Sequence, residues 1–324
     1  MDAGDRLCHG PTIMEAIINV VLPVFAIIAS GWLCGRLGLL GDGASQALNG
    51  FTYFAALPAL FFAAMATVPL SETFNLPFIL DYMGAVVALG LITWLTAGRM
   101  FPGKGDALGL QNMAANFSNT GYMGIPLLIT AFGASGKLPA IISTVLNGAI
   151  VMAFYIGIVE FNQSSADNRM KVFRDAMFGV VKSPLVLSAA LGITWSALGL
   201  PVPVFLAKFC EILGSAAPPA ALFAMGLFMV GKSFRGDYRE IGVLTAYKLL
   251  LHPLLAWGML ALLPLERGWA DALLVLAALP TGSLVFVLSS RYGTYTQRST
   301  GVIVASTLLS VATLSVLFNL LGVR

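Results

Sequence analysis

Continuous apolar runs of about twenty residues recur from one end of this 324-residue chain to the other, each long enough to cross a hydrocarbon core of about 30 Å. In lipid every backbone polar group must be satisfied within the protein, so only helices or closed barrels can span. A barrel would show alternating segments of about ten residues, and these runs do not alternate. The expected fold class is therefore an all-α polytopic membrane protein. Composition agrees: 58% of residues are hydrophobic and 10% charged, against about 25% charged in soluble proteins.

Ten spans are expected, at about 14–34, 46–66, 78–98, 107–132, 138–161, 177–198, 204–230, 241–263, 270–290 and 299–321. Short connections rich in Gly, Pro and charge separate them, as at 98–104. The longest connection, 162–176, carries Asp167, Arg169, Lys171 and Arg174 and reads as a solvated linker. It divides a first five-span half, 14–161, from a second, 177–321, with a short segment 1–13 in front. Loop Lys and Arg number eleven on the side that includes Arg99, Lys104, Lys171, Arg235, Arg291 and Arg298. The other side has four: Arg6, Lys137, Arg267 and Arg324. Cytoplasmic loops carry the excess, so both termini are expected to be extracytoplasmic and the linker cytoplasmic, in a plasma membrane (bacterial inner membrane).

Several classes lose support. No cluster of Lys and Arg carries interleaved aromatics, so nucleic-acid binding is not expected. Cys8, Cys34 and Cys210 lack disulfide-framework or metal-ligand spacing. Asp2 and Asp5 beside a single Arg6 make a poor signal-peptide n-region. With no nucleophile–base pair or phosphate loop, and only His9 and His252 as histidines, an enzyme is not expected.

The stretch 116–127, N-F-S-N-T-G-Y-M-G-I-P-L, is polar and broken inside an apolar span. Gly121, Gly124 and Pro126 disfavour a regular helix there. A second interruption, A-A-L-P-T-G-S-L-V-F, lies at 277–286. Pro23 to Pro58 and Pro184 to Pro219 are both 35 residues apart. A shift of about 162 residues sets Pro280 against Ser118, Thr281 against Asn119 and Gly282 against Thr120. Five spans per half put the halves in opposite orientations. The expectation is two inverted five-helix repeats, with broken, crossing fourth and ninth helices and a binding site near the midplane.

These residues also carry a resemblance. N-T-G-Y-M-G-I-P-L-L at 119–128, A-A-L-P-T-G at 277–282, L-P-A-L-F-F at 57–62, A-L-F-A-M-G-L-F-M at 221–229 and Y-K-L-L-L-H-P at 247–253 resemble, in order and spacing, the auxin efflux carrier family, bacterial type. That family has an inverted-repeat fold like that of bile acid–sodium symporters. The resemblance implies a scaffold domain of helices 1, 2, 6 and 7, a transport domain of helices 3–5 and 8–10, elevator-type movement and a homodimer joined through the scaffold. It implies a carrier of a small organic anion. No cofactor is expected, and H+, Na+ or no coupling ion at all are the open alternatives. The short linker, and Ser118 and Thr281 where plant auxin carriers have Pro and Gln, favour a malonate- or malate-like carboxylate. An aromatic-acid exporter, a receptor and a channel are the alternatives.

Asn119, whose amide can donate to a carboxylate, is the first candidate for substrate contact, with Asn116, Thr120, Gly121, Thr281, Gly282 and Ser283 around it. Gly124, Pro126 and Pro280 are assigned to shaping the breaks. Ionisable groups at membrane depth are functional candidates: Asp81, and the i,i+4 pair Lys248 and His252. For Asp81 a snorkelling interfacial position is the alternative, and for His252 a structural hydrogen bond. Lys208 and Glu211 suit an intrahelical ion pair. Glu160 is expected to meet interfacial water. Trp32, Trp94 and Trp269 are expected to anchor at the interfaces, and Met225 to fill core space.

Overall fold

The computed structural model describes residues 21–41, 43–68, 75–163, 174, 178, 182–231 and 237–323. Segment 1–13 and nearly all of the linker lie outside these. The described residues of the expected spans are mostly helical, with interruptions at 117–119 and 279–283, and the described residues include no strand.

In chain order the helices are α1 (Leu22–Arg36), α2 (Ala44–Ala66), α3 (Leu76–Met100), α4 (Gly105–Asn116), α5 (Thr120–Phe132), α6 (Ala134–Gln163), α7 (Pro184–Ala197), α8 (Val204–Met229), α9 (Tyr238–Leu262), α10 (Arg267–Ala278), α11 (Leu284–Arg291) and α12 (Thr296–Leu321). Six of them, α2, α3, α6, α8, α9 and α12, are long and apolar enough to cross a membrane. Helices α4 and α5 occupy the expected fourth span and α10 and α11 the ninth.

Packing falls into two groups. α1 lies along α8, and α2 along α7 and α8. Helices α3–α6 and α9–α12 pack among themselves, α3 on α9, α4 and α5 on α6, and α12 on α9 and α11. The α1–α8 contact depends on reciprocal glycines. A Cβ on Gly226 would stand 1.9 Å from Ile28 O, and one on Gly31 would stand 2.1 Å from Phe223 O. Without an apolar driving force between helices in lipid, close backbone approach of this kind is what holds a pair together.

Four of the described helices contain one complete widened π-type turn: Thr52–Ala56 in α2, Thr120–Gly124 in α5, Asn147–Val151 in α6 and Tyr247–Leu251 in α9. Pro58, Pro126 and Pro253 each follow such a turn by two residues. A proline has no N–H to give and its ring crowds the carbonyl four residues back. Widening the preceding turn relieves both problems without breaking the helix.

Candidate functional site: the crossing of two broken helices

The first break spans residues 117–119 and the second 279–283, and the two meet. Ser118 and Thr281 form an isolated antiparallel bridge. Asn119 gives its N–H to Pro280 O, and Gly282 its N–H to Phe117 O, both at 2.9 Å. Each break thus satisfies backbone groups of the other, which open backbone at membrane depth requires. Gly282 is needed for the fit, because a Cβ there would lie 2.9 Å from Phe117 Cδ1.

The location of the first break corrects the assignment of Gly124 and Pro126. Both lie inside α5, Gly124 closing its widened turn and Pro126 opening its regular part. The interruption is upstream, where Phe117 and Asn119 leave helical geometry. Pro280 does lie within its break.

A cavity of about 360 Å³ opens at the crossing. Asn119, Thr120, Gly121, Gly282 and Ser283 line it, together with Tyr53 of α2 and Asn147 of α6. The first turns of α5 and α11 both start at its wall, so two partial positive dipole ends converge there. Asn119 is buried, with Nδ2 3.2 Å from Met225 Sδ. Met225 therefore touches the candidate ligand group and is more than core filling.

Two candidates do not line the cavity. Asn116 turns behind the break and donates to Val86 O at 2.8 Å and to Tyr155 Oη at 2.9 Å. Thr281 donates through Oγ1 to Ala114 O at 2.7 Å, and its N–H goes to Ser306 Oγ at 3.1 Å. Both brace the crossing, and neither has a donor left for a ligand.

Asn147 was missed by sequence reasoning. Its Nδ2 reaches Ser118 O at 3.2 Å and Thr120 Oγ1 at 3.3 Å, while its Oδ1 is buried with no partner among the described residues. An amide in mid-span is the same signal that singled out Asn119. Glu160 is half-buried near the end of α6. It lines the cavity and accepts from Tyr292 Oη at 2.6 Å, so it is tied to the protein as well as near water.

The charge candidates sit away from the cavity lining. Asp81 is fully buried and neither carboxylate oxygen has a partner among the described residues. It lies in the first turns of α3. Lys248, also fully buried, donates to Ala277 O at 2.6 Å, near the C-terminal end of α10, and meets His252 Nδ1 at 3.0 Å. A cation at a helix C-terminus is favourably placed. Elsewhere, Lys208 and Glu211 form the expected ion pair at 2.9 Å. Trp32 and Trp94 are exposed, whereas Trp269 packs against Phe78 with ring centroids 5.0 Å apart. Cys34 and Cys210 are free thiols.

The sequence profile of the family described as "Membrane transport protein" matches residues 16–318. The chain belongs to this family, which includes the auxin efflux carriers. A Rhizobium meliloti (strain 1021) relative described as "Putative malonate transporter" is 31% identical over 313 residues, covering 95% of this chain and 97% of its own. An uncharacterized transporter of Escherichia coli (strain K12), YfdV, is 25% identical over 303 residues, covering 91% and 95%. Auxin efflux carrier component 8 of Arabidopsis thaliana is 23% identical over 362 aligned residues, covering 94% and 97%. This member of the transport family is therefore an integral membrane transporter, and its relatives give no indication of an enzyme.

Proposed function

We propose that the chain is a secondary carrier that moves a small carboxylate of malonate or malate type by elevator-like alternating access. The observation that carries the reading is the crossing itself. Two helix N-termini, the Asn119 amide and the hydroxyl-bearing residues Thr120 and Ser283 converge on a cavity sized for a small ligand. Such a site suits an anion held by dipoles and neutral donors. The name given to the Rhizobium relative supports the choice of diacid.

In this reading ten spans form two inverted repeats, with α4–α5 and α10–α11 as the broken fourth and ninth helices. α1, α2, α7 and α8 are the scaffold, through which two copies pair, and α3–α6 with α9–α12 are the moving domain. The cavity lies between the groups, since Tyr53 and Leu185 come from the first and Asn119 and Asn147 from the second. Both termini face outward, and Arg291 marks the cytoplasmic end. Asp81 is the foremost proton-coupling candidate, being a buried carboxylate without a partner among the described residues, and Lys248 and His252 are the other candidates. Na+ in place of H+ is the alternative outcome.

The test is counterflow of radiolabelled malonate in proteoliposomes. Saturable exchange in the wild type is expected, with loss of flux in Asn119→Ala at normal yield and fold. Non-saturating conductance would indicate a channel, and binding without flux a receptor. Exchange confined to aromatic acids would indicate the exporter reading. Unaltered affinity and rate in Asn119→Ala would remove that residue from the site.

A further inference from the structure

The cavity is chemically lopsided. Around the break it offers neutral donors, and at its other end it has one full charge of each sign, Glu160 of α6 and Arg291, the last residue of α11. The carboxylate is already engaged. Glu160 Oε1 accepts from Tyr292 Oη at 2.6 Å. Tyr292 O accepts from Gln163 Nε2 at 3.3 Å, and the same amide nitrogen donates to Asp106 Oδ2 at 3.0 Å. Burial, then the Glu160 hydrogen bond, raises the Tyr292 pKa above its ordinary value, so the phenol keeps its proton and remains a donor at neutral pH. Arg291 is exposed, with its guanidinium 5.6 Å from the centre of the Tyr292 ring, and no carboxylate pairs with it among the described residues. Its planar fork of donors matches a carboxylate.

We propose that Arg291 is an outer anion subsite, which captures a carboxylate at the cavity mouth before it reaches the crossing. Tyr292 keeps Glu160 from occupying that subsite as an internal competitor. At 1.5 Å per residue α11 is about 12 Å long, longer than a three- or four-carbon diacid. The two sites are therefore filled in succession and not by one molecule at once. The inference rests on the carrier reading and deepens it.

The experiment is calorimetric titration of malonate into purified full-length protein, wild type, Arg291→Gln and Arg291→Lys, at low and high salt, with thermal midpoints as a check on folding. The wild type is expected to bind malonate in two steps, and Arg291→Gln to weaken the outer step about tenfold at low salt, the scale of one charge-assisted hydrogen bond. The deficit should shrink at 1 M salt, where the Debye length falls to about 3 Å, and Arg291→Lys should recover much of the loss. Equal affinity in Arg291→Gln and wild type overturns the subsite, whether or not flux is seen. A deficit insensitive to salt and not rescued by lysine also overturns it, and points to packing on Tyr292. A salt-dependent deficit in a protein that shows no malonate flux leaves the subsite standing and overturns the carrier reading alone. Absence of malonate binding by the wild type overturns both.

Discussion

Asn147 supports the first turn of α5 from a neighbouring helix. Its amide nitrogen serves Ser118 O and Thr120 Oγ1, and its unpartnered Oδ1 is a buried acceptor that a protonated ligand or a water can use. Asn147→Leu keeps similar bulk and removes both bonds, at a cost of about 0.5–1.5 kcal/mol each, while Ser118 O retains the Thr120 N–H. A lower thermal midpoint and weaker malonate binding are expected together, and unchanged binding would show that the amide is only a brace. At this scale much could be read from the sequence, because an amide inside an apolar run needs a reason to be there. That rule finds Asn116, Asn119 and Asn147 alike. It does not say which of them faces a ligand, since Asn116 spends its donors on Val86 and Tyr155. Side-chain direction around a break depends on partners far away in the chain.

The widened turns are the element-scale feature. All four carry residues at the site or buried charge: Tyr53 in α2, Thr120 and Gly121 in α5, Asn147 in α6, Lys248 in α9. A π-turn re-aims the residues of one turn without ending the helix, which explains its frequent presence at functional sites. Pro126→Ala removes the steric reason for the turn in α5 and restores a donor. The variant is expected to be at least as heat-stable as the parent yet to bind malonate more weakly, as the first turn of α5 closes toward regular geometry. Thermal midpoint and titration together check this, and undiminished affinity would contradict it. The sequence shows the proline plainly but not its effect. Read locally it breaks a helix, whereas the true interruption lies upstream in residues 117–119.

At the scale of the molecule, the bands of apolar sequence show where helices lie, since length and hydropathy are local properties, and six of the described helices are long and apolar enough to cross a membrane. The shift of 162 residues marked both breaks, setting Ser118 against Pro280 and Thr281 against Asn119, but it did not give the antiparallel pairing of Ser118 with Thr281. The grouping of α1 and α2 with α7 and α8 came from family resemblance, because the glycine contacts that hold these helices involve residues that look unremarkable one by one. Gly226→Val tests that grouping. The added side chain meets the backbone of Ile28, and overpacking of this kind costs about 1–3 kcal/mol or more. The thermal midpoint should fall while the protein that remains folded binds malonate as the parent does, because Gly226 does not line the cavity. Lost affinity at unchanged stability would argue against a scaffold separable from the binding unit.

The bridge between the two breaks also sets an order of events during synthesis. Phe117 O and the Asn119 N–H find their partners in Gly282 and Pro280, which leave the ribosome roughly ten to thirty seconds later at about 5–20 residues per second. Throughout that interval the nascent first half holds unpaired backbone in a place where water is scarce and lipid offers nothing in exchange.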